Sequence, residues 1–308
     1  MIFWRILSLT EGSFLWMRKN FPTLYAYLDF FCLLMAMVVR FGSGNNTAAN
    51  LSECKRPSAA LVLYEFEGCP FCKKVRETLS VLDLDYIVYP CPRVTLKGYG
   101  IVGDSRYRPV VEKRGEQLKF PYLEDSNTGV KRYESDDIIR YLWSQYGQRA
   151  IAPMNYRLAH YAPLQTITLW TAALLRPLMD MGMLRIASRK PEKLLELWGF
   201  ENSPFVKRVR ETLSSLEIAY VMHIIPYGSE VKREQFRKEH LLEISSFRQA
   251  FGKIKVPYLR DPNTDVSLFE SNKIVSYLKD TYQTGSYPTE SWKDYLSRDQ
   301  ITTQKNEK

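Results

Sequence analysis

The chain has 308 residues, of which 45% are hydrophobic and 25% are charged, and it carries a formal net charge of +9. This composition excludes a disordered or collagen-like chain, and five cysteines are too few for a disulfide-stapled one. The mean hydropathy of −0.29 argues against a polytopic membrane protein, and three histidines leave little for a His-based metal centre. The length predicts two modest domains or one large one. The composition predicts no metal cofactor, and the mild basic excess gives no support for nucleic-acid binding.

The N-terminal part, residues 1–58, is predicted to be a hydrophobic leader or membrane anchor followed by a flexible linker. Phe21 to Val39 is almost wholly apolar, follows Arg18 and Lys19, and has about the 20 residues that a bilayer-spanning helix needs. Asp29 near its centre weakens the case for a span. A cleaved leader for an organelle (chloroplast or mitochondrion), an anchor and an ordinary packing helix therefore all stay open.

An internal repeat organises the rest of the chain. Three sequence blocks recur in the same order and at nearly constant spacing, namely 63–80 as 197–214, 120–130 as 256–266, and 133–139 as 269–275. Such a pattern predicts a duplicated domain. The predicted organisation is one copy at 59–148, a basic and partly apolar linker helix at 149–193, a second copy at 194–284, and a polar tail at 285–308.

Each copy follows the same predicted order of elements. In the first copy, a strand-like run at 60–66 is followed by helical apolar spacing from Phe71, a strand at 86–89, a basic segment, a strand at Pro121-Tyr-Leu, a turn at Asn127-Thr-Gly, a fourth strand and a closing helix. The order βαβ–α–ββ–α predicts two tandem α/β domains with the thioredoxin-like fold.

The strongest chemical signal is Cys69-Pro-Phe-Cys72, which lies between a predicted strand and a predicted helix. Unpaired N–H groups and the helix macrodipole favour a thiolate at Cys69, and Lys73 and Lys74 add positive charge nearby. Cys72, one turn later, is placed to resolve a mixed disulfide. A zinc half-site and a static disulfide remain as alternatives.

The Cys-Pro-Phe-Cys sequence resembles the active site of glutaredoxins, and the copy around it resembles the N-terminal, glutathione-binding domain of glutathione transferases. The whole arrangement is similar to plant and algal chloroplast thioredoxin-family proteins, and to protist proteins that join glutathione transferase and glutaredoxin domains. This resemblance implies catalytic roles for Cys69 and Cys72, and glutathione binding by the backbone of Phe120 before a cis Pro121 and by Glu134 and Ser135. For Ser135, an ordinary helix N-cap is the alternative.

The second copy has Ser203-Pro-Phe-Val206 at the corresponding place. A serine cannot form a mixed disulfide, although many glutathione transferases use a serine hydroxyl there to bind the glutathione thiolate. The remaining residues of a possible second glutathione site are retained, namely Val256, Pro257, Glu270 and Ser271. The alternative, which we favour from the sequence, is a degenerate domain kept for packing or binding.

These observations together predict a glutathione-dependent thiol–disulfide oxidoreductase that acts through Cys69 on disulfide-containing or glutathionylated proteins, with glutathione as co-substrate. The alternative is a membrane-associated, catalytically weak glutathione-binding or scaffold protein that contacts the membrane through 21–39 and 161–184. A third hypothesis is an isomerase similar to membrane-associated prostaglandin E synthase. Neither copy is followed by the all-helical domain of glutathione transferases, so we do not expect conjugation of xenobiotics.

Overall fold

The computed structural model of the protein describes residues 20–92, 105–175, 185–240 and 254–285. Before the first copy lie helix α1 (Pro22–Val39) and a short 3-10 turn at Leu51–Glu53. The first copy then contains β1 (Leu61–Glu65), α2 (Pro70–Val81), β2 (Tyr86–Pro90), α3 (Arg108–Gly115), β3 (Tyr122–Asp125), β4 (Val130–Arg132) and α4 (Ser135–Tyr146). The predicted βαβ–α–ββ–α order is therefore confirmed for this copy.

The second copy repeats this order. It contains β5 (Leu195–Gly199), α7 (Pro204–Ser215), β6 (Tyr220–Ile224), α8 (Glu230–His240), β7 (Tyr258–Asp261), β8 (Val266–Phe269) and α9 (Ser271–Tyr282). Between the copies lie two helices, α5 (Met154–Ala159) and α6 (Ala162–Leu174), where the sequence suggested one linker helix. The division is local in origin, because α5 ends at the cap residue His160 and Pro163 starts a new helix, where its missing N–H is tolerated.

The two copies share one eight-stranded sheet with the order β4-β3-β1-β2-β6-β5-β7-β8. In each copy the first two strands are parallel and the last two pair antiparallel. The copies join through β2 and β6, which run antiparallel with Tyr86 opposite Met222 and Val88 opposite Tyr220. An isolated copy would leave the backbone groups of this edge unpaired, and the joint satisfies them.

A buried cluster of ion pairs lies between the copies. Glu67 and Glu201 occupy equivalent positions in the repeat, as do Arg76 and Arg210. Arg76 Nε donates to Glu201 at 3.0 Å, and Arg210 Nη2 donates to Glu67 at 3.2 Å. Each arginine also contacts a glutamate of its own copy, Arg76 with Glu65 and Arg210 with Glu201. All of these side chains are almost fully buried, so each charge depends on its partners for compensation.

Helix α1 is packed against both copies. Asp29 is 3% exposed and pairs with Arg208 of the second copy at 2.6 Å, while Arg40, just after the helix, pairs with Glu77 of the first copy at 2.6 Å. The opposite face carries exposed apolar side chains such as Tyr27 and Phe31. Of the helices in the described ranges, α1 has the length and composition that could cross a membrane.

Helix α6 packs against α1 and α2. The helix comprises much of the second apolar segment, 161–184. The last residues of that segment, 176–184, lie outside the described residues, as do 1–19 and 286–308. Membrane association through 21–39 and 161–184, and an organelle location, stay predictions.

Candidate functional site

Cys69 caps the N-terminus of α2. Its backbone is extended (φ −81°, ψ 120°), and its Sγ accepts a hydrogen bond from the Cys72 backbone N–H at 3.3 Å. Pro70 occupies the first turn, where no N–H is needed. Both Cys69 and Cys72 are free thiols and both are buried.

The two thiols differ in acidity. Burial raises the pKa of Cys69, but hydrogen bonds from the Cys72 thiol and from the N–H groups of Cys72 and Phe71 outweigh it, so that this pKa lies below its ordinary value. Burial and the same contact with Cys69 raise the pKa of Cys72 well above its ordinary value. Cys69 is therefore the more acidic thiol of the pair.

The two lysines expected to assist Cys69 are paired with carboxylates. Lys73 Nζ lies 3.5 Å from Glu201 of the second copy, and Lys74 Nζ lies 2.6 Å from Asp136. Sequence spacing alone could not reveal these partners, because both are distant along the chain. The lowered pKa of Cys69 thus comes from hydrogen bonds at the helix start.

The other predicted residues of the first copy lie on two neighbouring segments. The Phe120–Pro121 peptide bond is cis, and Phe120 belongs to the same buried apolar cluster as Cys69 and Cys72. Glu134, with φ +60°, is the N-cap residue of α4, and Ser135 is the first residue inside the helix. The alternative role of Ser135 as the N-cap is therefore wrong. A non-glycine residue at such a φ is uncommon, and the repeat preserves it at Glu270 with φ +74°.

Cys69 lies beneath two helices from outside its own domain. The side chain is 2% exposed, and the space beside it is a cavity of about 20 Å³. Ala36 of α1 and Leu169, Ala172 and Ala173 of α6 line this cavity, whose polar lining comes from Glu67, Lys73 and Lys207. Such a volume holds about one water molecule, so a glutathionylated protein cannot reach the sulfur in this conformation.

The equivalent place in the second copy is an open pocket of about 430 Å³. Ser203 caps α7 with the backbone geometry of Cys69 (φ −81°, ψ 122°), and its Oγ accepts from the Val206 N–H at 3.4 Å. The Val256–Pro257 peptide bond is cis. All five residues predicted for a second site line this one pocket, namely Ser203, Val256, Pro257, Glu270 and Ser271.

The pocket also contains residues that sequence reasoning missed. Asn45 reaches it from the segment after α1, and Asn202 precedes the helix cap. Arg233 of α8 lies over the Tyr227 ring at 5.1 Å, and both line the pocket. Lys255 forms an ion pair with Glu270 at the rim. The repeat offered no signal for Asn45, because it precedes the duplicated region.

The described residues contain no group of three or more His, Cys, Asp or Glu side chains that could hold a metal ion. The zinc half-site considered for Cys69 and Cys72 thus has no further ligands in that part of the chain.

Each copy places a capped helix after its first strand and a cis-proline before its third, which defines a tandem pair of thioredoxin-like domains. The chain belongs to the family described as glutathione S-transferase, N-terminal domain, which matches residues 63–150 and again 197–286.

The similarity to individual proteins covers only part of their length. Glutathione S-transferase GstB from two strains of Escherichia coli is 36% identical over 89 residues, which are 29% of this chain and 38% of the relative. The chain thus spans about two fifths of the length of the curated relatives it matches. Among solved structures, the chain is similar to Leishmania TDR1, described as a unique trimeric glutathione transferase, with 14% identity, a TM-score of 0.25, and coverage of 77% of this chain and 71% of that one. Similarity to chloroplast or protist tandem proteins stays a prediction.

Proposed function

We propose that this protein binds glutathione in the pocket of the second copy. The observation that carries this proposal is the convergence of Ser203, Val256, Pro257, Glu270 and Ser271 on one cavity of about 430 Å³. This volume lies within the range of ordinary small-molecule sites, roughly 300–1,000 Å³. The sequence favoured a degenerate second copy, and the open pocket supports the opposite assignment.

The pocket offers a partner for each end of the tripeptide. Because Ser203 Oγ accepts from Val206 N–H, its own O–H is available to donate to a glutathione thiolate. Ser271, at the start of α9, offers a hydroxyl and helix N–H groups to the γ-glutamyl carboxylate. Arg233 adds a cation for the glycyl carboxylate on the opposite wall, and the backbone of Val256 lies beside the cis-proline.

A matched pair of variants tests the proposal. Glu270→Gln in the open pocket and Glu134→Gln in the first copy alter equivalent positions, and neither side chain makes a capping hydrogen bond to its helix. Titration of reduced glutathione into the full chain, followed by calorimetry, should show one site. The affinity for glutathione should fall about tenfold in Glu270→Gln, as expected for the loss of one charge-assisted hydrogen bond between the Glu270 carboxylate and glutathione. It should stay unchanged in Glu134→Gln. Binding that weakens only in Glu134→Gln would assign the site to the first copy, and no binding heat in any variant would refute the proposal.

Glutathione-dependent thiol–disulfide exchange at Cys69 is the second candidate. The lowered pKa of Cys69 and the protonated Cys72 beside it favour this chemistry. It requires α6 to move away from the sulfur, because Leu169 and Ala172 close the cavity. Reduction of a small glutathione mixed disulfide by the full chain, compared with Cys69→Ser, tests this candidate: turnover that persists in the variant excludes it.

A further inference from the structure

The cavity beside Cys69 is small, polar on one side and closed by apolar residues on the other. Its volume of about 20 Å³ suits one molecule of the size of water. Glu67, Lys73 and Lys207 provide the charged wall, whereas Leu169 and Ala172 of α6 provide the apolar one. A molecule that enters therefore meets the sulfur of Cys69 among charged hydrogen-bonding groups.

One atom in this wall lacks a protein partner. Glu67 Oε1 accepts hydrogen bonds from Lys207 at 3.0 Å and Arg210 at 3.2 Å. Glu67 Oε2 is buried and has no hydrogen-bond partner within the described ranges. Burial opposes ionisation, yet Arg210, Arg76 and Lys207 hold the pKa of Glu67 well below its ordinary value. Glu67 Oε2 is thus an acceptor for a small ligand that carries an O–H group.

The sulfur chemistry beside it is that of a poised dithiol. The Cys72 thiol and backbone N–H both hydrogen-bond to Cys69 Sγ. Cys72 lies in the first turn of the helix that Cys69 caps, so its sulfur is the nearest candidate to attack an oxidised Cys69. The small cavity keeps large disulfides from the sulfur, but the thiolate of Cys69 can still attack a small oxidant.

We propose that hydrogen peroxide enters this cavity and oxidises Cys69 directly, and that Cys72 then closes the Cys69–Cys72 disulfide. The Cys69 thiolate attacks one peroxide oxygen, the O–O bond breaks, and Cys69 becomes a sulfenic acid. The departing hydroxide takes a proton from the ammonium of Lys73 and leaves as water. The Cys72 sulfur next displaces the hydroxyl of the sulfenic acid, which leaves with the Cys72 proton as a second water. Overall, the Cys69 thiolate and the Cys72 thiol are oxidised to a disulfide, one peroxide is reduced to two waters, and Lys73 recovers from solvent the proton that it gave.

The surrounding charges support each step. Glu67 lines the cavity together with Cys69, and its carboxylate can accept the O–H of the peroxide there. Burial lowers the pKa of Lys73, which makes its ammonium a better proton donor to the leaving oxygen. The reaction uses no residue of the second-copy pocket and no glutathione. A negative result for peroxide oxidation therefore says nothing against glutathione binding, and the reverse also holds.

The test compares oxidants of different size on the reduced full chain, in buffer without glutathione. Hydrogen peroxide, cumene hydroperoxide and oxidised glutathione are added separately, and peptide mass spectrometry follows the Cys69–Cys72 disulfide over time. Rates are normalised to those of a free thiol such as N-acetylcysteine. We expect a normalised preference for hydrogen peroxide of at least about tenfold over the bulkier oxidants. Cys91, which is buried and whose pKa is raised, is the internal reference and should stay reduced. Equal normalised rates for all three oxidants, or oxidation of Cys91 as fast as Cys69, would overturn the proposal.

Two variants of α6 test the role of the cavity. Leu169→Ala widens it and should raise the rate with cumene hydroperoxide relative to hydrogen peroxide. Leu174→Ala, on the exposed face of the same helix, should leave that ratio unchanged. In Cys72→Ser the sulfenic acid should accumulate, and dimedone present while the chain is denatured and digested should trap it. A ratio that Leu169→Ala does not change, in a variant whose circular dichroism matches the parent chain, contradicts the proposed entry route.

Discussion

The ion pair between Arg40 and Glu77 stabilises the packing of α1 and α6, the two helices that form the cover over Cys69. Both side chains are fully buried, and their nearest charged atoms lie 2.6 Å apart. Arg40 Nη1 also donates to the Ala159 carbonyl at 2.9 Å and to Thr168 Oγ1 at 2.6 Å. One guanidinium thus ties the end of α1 to α2, α5 and α6. Replacing it should loosen the helices that keep Cys69 from solvent.

The size of the effect of Arg40→Met follows from what remains around Glu77. Methionine fills much of the volume but leaves a buried carboxylate without its main counterion, a loss of about 3–5 kcal/mol for buried pairs in general. His160 at 3.0 Å and Lys73 at 3.7 Å still face Glu77, so we expect the lower end, about 3 kcal/mol. If this loss falls on local opening of the cover, the accessibility of Cys69 rises roughly hundredfold, since about 1.4 kcal/mol is a factor of ten.

The assay is alkylation of Cys69 by iodoacetamide, followed by peptide mass spectrometry and paired with urea unfolding. Arg157→Met, an exposed cation on the neighbouring α5, is the matched control and should change neither quantity appreciably. Arg40→Met should speed alkylation of Cys69 by about two orders of magnitude. An unchanged alkylation rate in a variant that has lost the expected stability would show that Arg40 does not control access to the thiol.

Two further predictions concern stability. Tyr146→Phe and Tyr282→Phe each remove a 2.5 Å hydrogen bond to a buried carboxylate, Asp125 in the first copy and Asp261 in the second. Each variant should lower the free energy of unfolding in urea by about 1.5–3 kcal/mol. A loss below about 0.5 kcal/mol in both would contradict this. Burial, only partly offset by Arg76, raises the pKa of Glu65 to about 7. Because the folded state then binds this proton more tightly than the unfolded chain, its contribution to stability should fall as the pH rises from about 5 to about 7. The difference in unfolding free energy between the parent chain and Glu65→Gln, measured at several pH values, should carry this slope, and a flat difference would refute it.

The features of the fold that could be predicted are those written locally in the sequence. The repeat fixed the order of elements in both copies, because alternation and helical spacing are properties of short segments. Cys69 and Ser203 were placed at helix starts because Cys-Pro and Ser-Pro before an apolar helical pattern indicate an N-terminus. Five residues of the second pocket can be predicted for the same reason, since the blocks that carry Pro257 and Glu270 are copies of those in the first domain.

The features that escaped prediction depend on contacts between distant segments. Leu169 and Ala172 have the same apolar character whether a helix faces lipid or another helix, so their place above Cys69 could not be read from the sequence. The sequence predicts that Lys73 adds positive charge near the thiol, but the second copy supplies Glu201 as its partner. The joint between β2 and β6 is equally invisible, because an edge strand carries no local sign of what will pair with it.

The contrast between the two sites follows from where the single linker goes. A symmetric duplication would place equal pockets at Cys69 and Ser203, but α6 follows the first copy and packs across its α2, so one pocket closes while the other stays open. The residue types match this difference in access. An exposed thiolate in an open glutathione pocket would be captured as a mixed disulfide by any oxidised glutathione, whereas a serine hydroxyl can bind the tripeptide without reacting. Burial in turn restricts Cys69 to small reactants. If both proposals hold, the same framework separates a glutathione-binding site from a redox-active dithiol within one chain.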